Sequence, residues 1–256
     1  MRAFIAFLKK ELLEAWRSGK LLILGIIFVA LGVMNPAIAK ITPMLLDLFA
    51  EELGGSGIEI GTVTADALAS WAQFFKNIPM AIIAFVCIYT GSFTKEYGRG
   101  TLILVLTKGL ARYKVVLAKA SVMLSLWSIG YWVCYFITYV INAAIWDNST
   151  VAGFLPAAVN WWLFGLFAVA LMVLFSVISG NYGFVMLGVG GSVLAIYVIS
   201  LVPKLSKAVP TSLMNSSGLL LGMEQAGDYL PAIIVTAVLT VGCIVASVPI
   251  MNKKQL

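Results

Sequence analysis

Residues 157–202 read AAVNWWLFGLFAVALMVLFSVISGNYGFVMLGVGGSVLAIYVISLV. The stretch contains no Asp, Glu, Lys or Arg, and only Gly180-Asn181-Tyr182-Gly183 interrupts it. Each arm is close to the ~20 residues a helix needs to cross a bilayer. The apolar residues run on without alternating, so helices fit and a transmembrane β-barrel does not. Two spans joined by a tight turn follow, Ala157–Ser179 and Phe184–Val202.

Four further apolar runs complete the pattern: Leu21–Ala39, Ile78–Phe93, Ala120–Ile145 and Leu230–Met251. The fold class expected is an all-α polytopic membrane protein with six transmembrane helices in one domain over residues 1–256. Composition agrees. The chain is 61% hydrophobic and 11% charged, against about 25% charged in soluble domains.

The net charge of +6 comes from basic residues gathered at span ends. That placement speaks for membrane orientation and against nucleic acid. With the N-terminus inside, most of the 17 basic residues lie on the cytoplasmic side, with only Glu11, Glu14 and Glu96 of the 11 acids. The positive-inside rule then places both termini in the cytoplasm. No cleavable signal peptide is expected, since no small-residue cleavage site stands out.

Flanking segments have patterns of their own. Residues 1–17 predict an interfacial helix, with Met1, Phe4, Ile5, Leu8, Leu12, Ala15 and Trp16 on one arc and Arg2, Lys9, Lys10, Glu14 and Arg17 opposite. Lys40–Asn77 is expected as a long outer loop with two amphipathic pieces around Gly54-Gly55-Ser56-Gly57. The second piece carries Leu68, Trp71 and Phe75. Pro203–Tyr229 is apolar and turn-rich, which predicts a re-entrant hairpin at the outer surface. In the third span Tyr131, Tyr135, Tyr139 and Asn142 share a stripe with Trp127. Such a stripe suits either helix packing or a path for an amphipathic substrate, and these four are the candidate pathway residues. Gly188, Gly191, Ser192 and Ala195 offer close helix contacts in the fifth span.

Absences narrow the chemistry. There is no histidine, and Cys87, Cys134 and Cys243 lie singly in apolar runs. Neither a metal site nor a disulfide framework is expected. No charged residue sits mid-span, unlike most ion-coupled carriers. An intramembrane protease would need a nucleophile turn or paired mid-span carboxylates, and neither is present.

Between the second and third spans lies FTKEYGRGTLILVLTKGLARYKVVLAK, Phe93–Lys119. Gly98 and Gly100 break the helix, Thr101 can cap a new short one, and Gly109 ends it. Leu102, Ile103, Val105 and Leu106 are too apolar to face water and need a covering surface. The segment resembles the coupling region of permeases of the type-2 ATP-binding-cassette exporter family. The matches are Glu96, Gly100, Thr101, Leu102, Leu106, Thr107, Arg112 and Lys119. Gly109 stands where that family usually has proline. The setting matches too: interfacial helix, six spans and an apolar hairpin before the last.

The resemblance implies a transport subunit without catalytic residues or metal. It implies a cytoplasmic coupling loop over residues 94–112, in which Glu96, Gly100, Thr101, Leu102, Leu106 and Arg112 serve ATPase coupling. It also implies two partners, a separate cytoplasmic ATPase and a second copy of the permease or a close paralogue. The chain has no GxxxxGK[ST] loop, so ATP and Mg would belong to the ATPase and no cofactor to this chain. A bacterial-type plasma membrane is the expected location. The expected cargo is amphipathic or hydrophobic, with helix-forming peptides foremost. Lipophilic drugs, lipids or ions are alternatives, as is a stand-alone membrane immunity or binding protein.

Overall fold

The structure, a computed structural model, describes residues 2–53, 65–99, 107 and 110–254. Among these residues there are helices and turns and no strand. In chain order the α-helices are α1 (Arg2–Arg17), α2 (Lys20–Leu53), α3 (Ala67–Tyr89), α4 (Gly91–Arg99), α5 (Arg112–Ile145), α6 (Phe154–Ile178), α7 (Tyr182–Ser200), α8 (Ser217–Leu220) and α9 (Leu230–Lys253). Single 3-10 turns cover Asn148–Thr150, Pro210–Met214 and Ala226–Tyr229. Among the described residues, six stretches are long and apolar enough to cross a membrane: Lys20–Leu46, Ala67–Thr94, Arg112–Ile145, Phe154–Ile178, Tyr182–Ser200 and Ala226–Lys253.

A helix apolar all round belongs in the middle of a bundle, and α6 is there. It packs against α3, α5, α7 and α9. By contrast α7 buries only Val185 and Val189 completely and leaves Leu187, Leu194 and Val198 exposed. It lies on the flank. Of the small residues expected to allow close contact there, Gly188 meets the Phe175 ring of α6, while Gly191 faces open space.

The turn before α7 forms as expected, with Asn181 accepting from the Gly183 amide at 2.8 Å. The second span does not begin at Ile78. It starts at Ala67, where Asp66 caps the helix by accepting from the Ala69 amide at 2.7 Å. Trp71, Phe74 and Phe75 are buried, so the piece expected as an outer-loop amphipathic segment is the N-terminal part of α3. Core contacts with α5 override the amphipathic pattern: Trp71 lies 5.2 Å from the Tyr135 ring. The other expected piece continues α2 as far as Leu53, and residues 54–57 lie outside the described residues.

Polar groups inside the bundle join helices. Pro36 lacks the N–H that would bond the Gly32 carbonyl one turn back. The Thr138 hydroxyl of α5 donates to that carbonyl instead, at 3.0 Å. Asn77 donates to Asn35 at 2.7 Å, and Ser70 donates to Asn142 at 2.7 Å. These bonds join α2 to α3 and α3 to α5, where unmade polar groups would be costly.

The segment 203–229 folds back on the bundle as short turns and packs against α3, α6 and α9. Leu213, Leu219 and Leu220 are buried there. Gly153 admits this close approach. It has φ +59°, and a β-carbon on it would lie 2.4 Å from the Leu219 carbonyl oxygen.

Candidate functional site at the charged end of the bundle

One end of the bundle gathers helix ends and charge. Arg112, at the start of α5, donates to the carbonyls of Met251 and Asn252 at 3.1 Å and of Lys254 at 2.6 Å. Lys254 donates to the carbonyls of Val177 and Ile178, at 2.8 and 3.3 Å. Two basic side chains thus cap the C-termini of α9 and α6, where the helix dipole and free carbonyls favour a cation. The start of α5 thus meets the ends of α6 and α9 in one layer.

Helix α1 lies across the same end against α5. Phe7, Glu11 and Ala15 recur every fourth residue and are buried, while Ile5, Leu12 and Trp16 form an exposed apolar arc. The helix is therefore two-sided. One face grips the bundle, and the other suits the membrane interface.

The gripping face carries an ion-pair network. Lys119 of α5 is 1% exposed, and its Nζ lies 2.8 Å from Glu11 Oε2 and 3.0 Å from Glu96 Oε2. Lys10 Nζ lies 2.7 Å from Glu96 Oε1, 3.0 Å from Glu11 Oε1 and 2.9 Å from Glu14 Oε2. Lys119 also donates to the Ser92 carbonyl at 3.1 Å, with its ammonium 5.3 Å from the Phe93 ring centroid. Helices α1, α4 and α5 are tied at one point. A buried lysine is tolerable there because two carboxylates and a carbonyl replace its water. The carboxylates of Glu11, Glu14 and Glu96 also approach one another within 4.8 Å. Ammonium groups already occupy the position a metal cation would take.

The network sets a pH response. Partial burial works against the Lys10 charge, but hydrogen bonds to Glu14 and Glu96 and the charges of Glu11 and Glu96 outweigh it and raise its pKa. Burial likewise works against the Glu14 carboxylate, and the Lys10 hydrogen bond and charge reverse that and lower its pKa below 4.5. A lowered carboxylate pKa gives stability that is present above the unfolded value and lost as pH falls through the folded one. Thermal unfolding of the purified chain should therefore hold steady near neutrality and fall below pH 4.5. Glu14→Gln should shrink that acid loss. An unchanged acid limb in Glu14→Gln would show that the Lys10–Glu14 contact carries no linkage.

Of the residues expected to serve coupling, Glu96 lies inside this network, and Arg112 is bonded to the end of α9 instead. Gly100, Thr101, Leu102 and Leu106 lie outside the described residues. Thus Glu96 faces α1 and α5, with 7% of its surface exposed. Its place is to hold the base of the 94–112 segment. Sequence reasoning missed Glu11 and Lys119 as a pair. Lys119 reads as a span-flanking cation, whereas α5 begins at Arg112 and carries Lys119 two turns into the bundle.

The candidate pathway residues are mostly enclosed. Tyr131 is fully buried and donates to the Ala158 carbonyl at 2.8 Å. Asn142 is fully buried against Ser70, and Tyr135 meets Trp71 at a tilt and Phe74 and Trp132 edge-on. Tyr139 alone is partly exposed, at 39%. In this conformation the stripe cements α5 to α3 and α6 rather than lining an open path, because α3 begins at Ala67, earlier in the chain than its hydropathy indicates.

Comparison with known proteins agrees with this architecture. The sequence model of the ABC-2 family transporter protein matches residues 5–215. The uncharacterized transmembrane protein YxlG of Bacillus subtilis (strain 168) is 21% identical over 231 residues, which is 90% of this chain and 89% of that protein. No solved structure matches the chain. With six apolar crossings and a family match over most of its length, the chain belongs to the ABC-2 family of transporter proteins, as a multi-pass membrane subunit of an ABC transporter.

Proposed function

We propose that this chain is the permease of an ATP-driven exporter, working as a pair with a second copy or a close paralogue. A separate cytoplasmic ATPase supplies ATP hydrolysis. The observation that supports this best is the ion-pair network at Lys119, which fixes α1 and α4 to α5 on both sides of the 94–112 segment. Force applied at Thr101, Leu102 and Leu106 would pass through Glu96 into α1 and α5, and through Arg112 into α9. Rigid elements joined in this way move together and rock between two arrangements. Both termini lie in the cytoplasm of a bacterial-type cell, where the basic residues meet anionic lipid.

The cargo is amphipathic or hydrophobic. Helix-forming peptides are the leading class, with lipophilic drugs or lipids as the alternative. For a peptide, Tyr131, Tyr135, Tyr139 and Asn142 would line the route only when α3 and α5 part. The test uses inside-out vesicles carrying the chain and its ATPase. ATP-dependent uptake of a labelled amphipathic peptide is expected, and Leu102→Asp should abolish it while leaving the chain in the membrane. ATP-independent uptake, or uptake unaffected by Leu102→Asp, would overturn the reading.

A further inference from the structure

Two cavities adjoin on one flank. The first is an apolar groove of about 520 Å³ between α3, α6 and α7, lined by residues such as Ile82, Phe164, Val189 and Val193. The second is a polar cavity of about 520 Å³ at the far end of α7, lined by Lys207, Asn215, Glu224 and Asp228 among others. Tyr197 and Thr211 line both, so the polar cavity is the mouth of the groove. Two polar groups in the groove wall are orphaned among the described residues. Thr211 Oγ1 and Trp161 Nε1 are buried without a hydrogen-bond partner, in residues 8% and 3% exposed. Buried polar groups are nearly always paired, so this pair calls for an acceptor that the chain itself does not provide. The mouth carries two carboxylates against one lysine. Asp228 also accepts from the Gln225 amide, and Glu224 from the Tyr229 hydroxyl.

We propose that this continuous site binds a small cationic amphiphile, with its amine head at Glu224 and Asp228, a carbonyl at Trp161 and Thr211, and one apolar chain in the groove. The excess negative charge selects the amine, the orphaned Trp161 N–H and Thr211 hydroxyl select the carbonyl, and the groove wall selects the chain. A helical peptide is ~10–12 Å across. The groove instead has the size of small-molecule sites, ~300–1,000 Å³. The proposal rests on the transport reading for its purpose and narrows the cargo at this site to the lipophilic class.

The test needs no ATPase, so its failure and that of the transport reading are separable. Membranes carrying the full chain are photolabelled with the choline ester of a diazirine-bearing twelve-carbon fatty acid. Labelling should be saturable, should map to the groove, and should be displaced by lauroylcholine better than by dodecyltrimethylammonium, which lacks the carbonyl. Thr211→Val and Glu224→Gln should each weaken it ~3- to 10-fold, the worth of one hydrogen bond or charge contact. Gly190→Leu should abolish it. A β-carbon at Gly190 meets nothing within 4 Å, so this variant fills the groove without clashing with the fold. Unsaturable labelling spread over the lipid-facing surface, or labelling unchanged in Gly190→Leu, would overturn the proposal. So would displacement by hydrophobic peptides alone, or a groove sealed by a second copy, seen as disulfide formation between Leu194→Cys chains with no labelling.

Discussion

Lys119→Met is expected to destabilise the chain by about 3–5 kcal/mol, the usual cost of breaking a buried ion pair from one side. Methionine fills the space but leaves the Glu11 and Glu96 carboxylates facing each other, both under a tenth exposed. Lys10 would remain as the nearest cation, but it is half exposed and already divided among three carboxylates. The measurement is thermal unfolding of the purified variant beside the wild type. Glu11→Gln should cost less, because Lys119 keeps Glu96 at 3.0 Å and the Ser92 carbonyl at 3.1 Å. The double variant Lys119→Met/Glu11→Gln should recover part of the loss, since it removes one orphaned charge. Strict additivity of the two single effects would mean that the two groups are not coupled.

Gly165→Leu is expected to prevent correct folding, and Gly165→Ala to cost about 1–3 kcal/mol through overpacking. A β-carbon at Gly165 would lie 2.1 Å from Trp127 Cζ2. The indole has no room to retreat. Phe28 and Phe85 meet it edge-on at 5.8 and 5.7 Å, and its N–H donates to the Trp162 carbonyl at 3.2 Å. Better helix propensity for alanine returns less than ~1 kcal/mol. Gly190→Leu is the matched control, one helix away and with open space at its β-carbon. Equal unfolding temperatures for the Gly165→Ala and Gly190→Leu proteins would show that the α5–α6 contact is looser than this.

The reach of the sequence differed between these two sites. The six spans, the turn at Asn181 and the apolar segment folding back after α7 were legible because hydropathy and turn chemistry are local. The start of α3 was not. Trp71 and Phe75 form a half-polar pattern with Lys76 and Asn77, and only their partners on α5 and α6 show that they are core. Glu11 was equally hidden. It sits 108 positions from Lys119 in the chain, and nothing nearby distinguishes it from Glu14, which stays half exposed. The role of Lys119 was obscured by its position at the edge of an apolar run, where lysines ordinarily mark orientation. That Thr211 and Trp161, 50 positions apart, line one groove had no local signature.

The transport account depends above all on a separate ATPase docking on the 94–112 segment. The direct measurement is purification of the chain from native membranes, with ATPase activity assayed on the eluate. The account predicts a nucleotide-binding polypeptide in stoichiometric amount, with activity lost in Leu102→Asp and in Arg112→Glu. A chain that purifies alone, with no ATPase activity in the eluate, would contradict it and leave a stand-alone membrane binder.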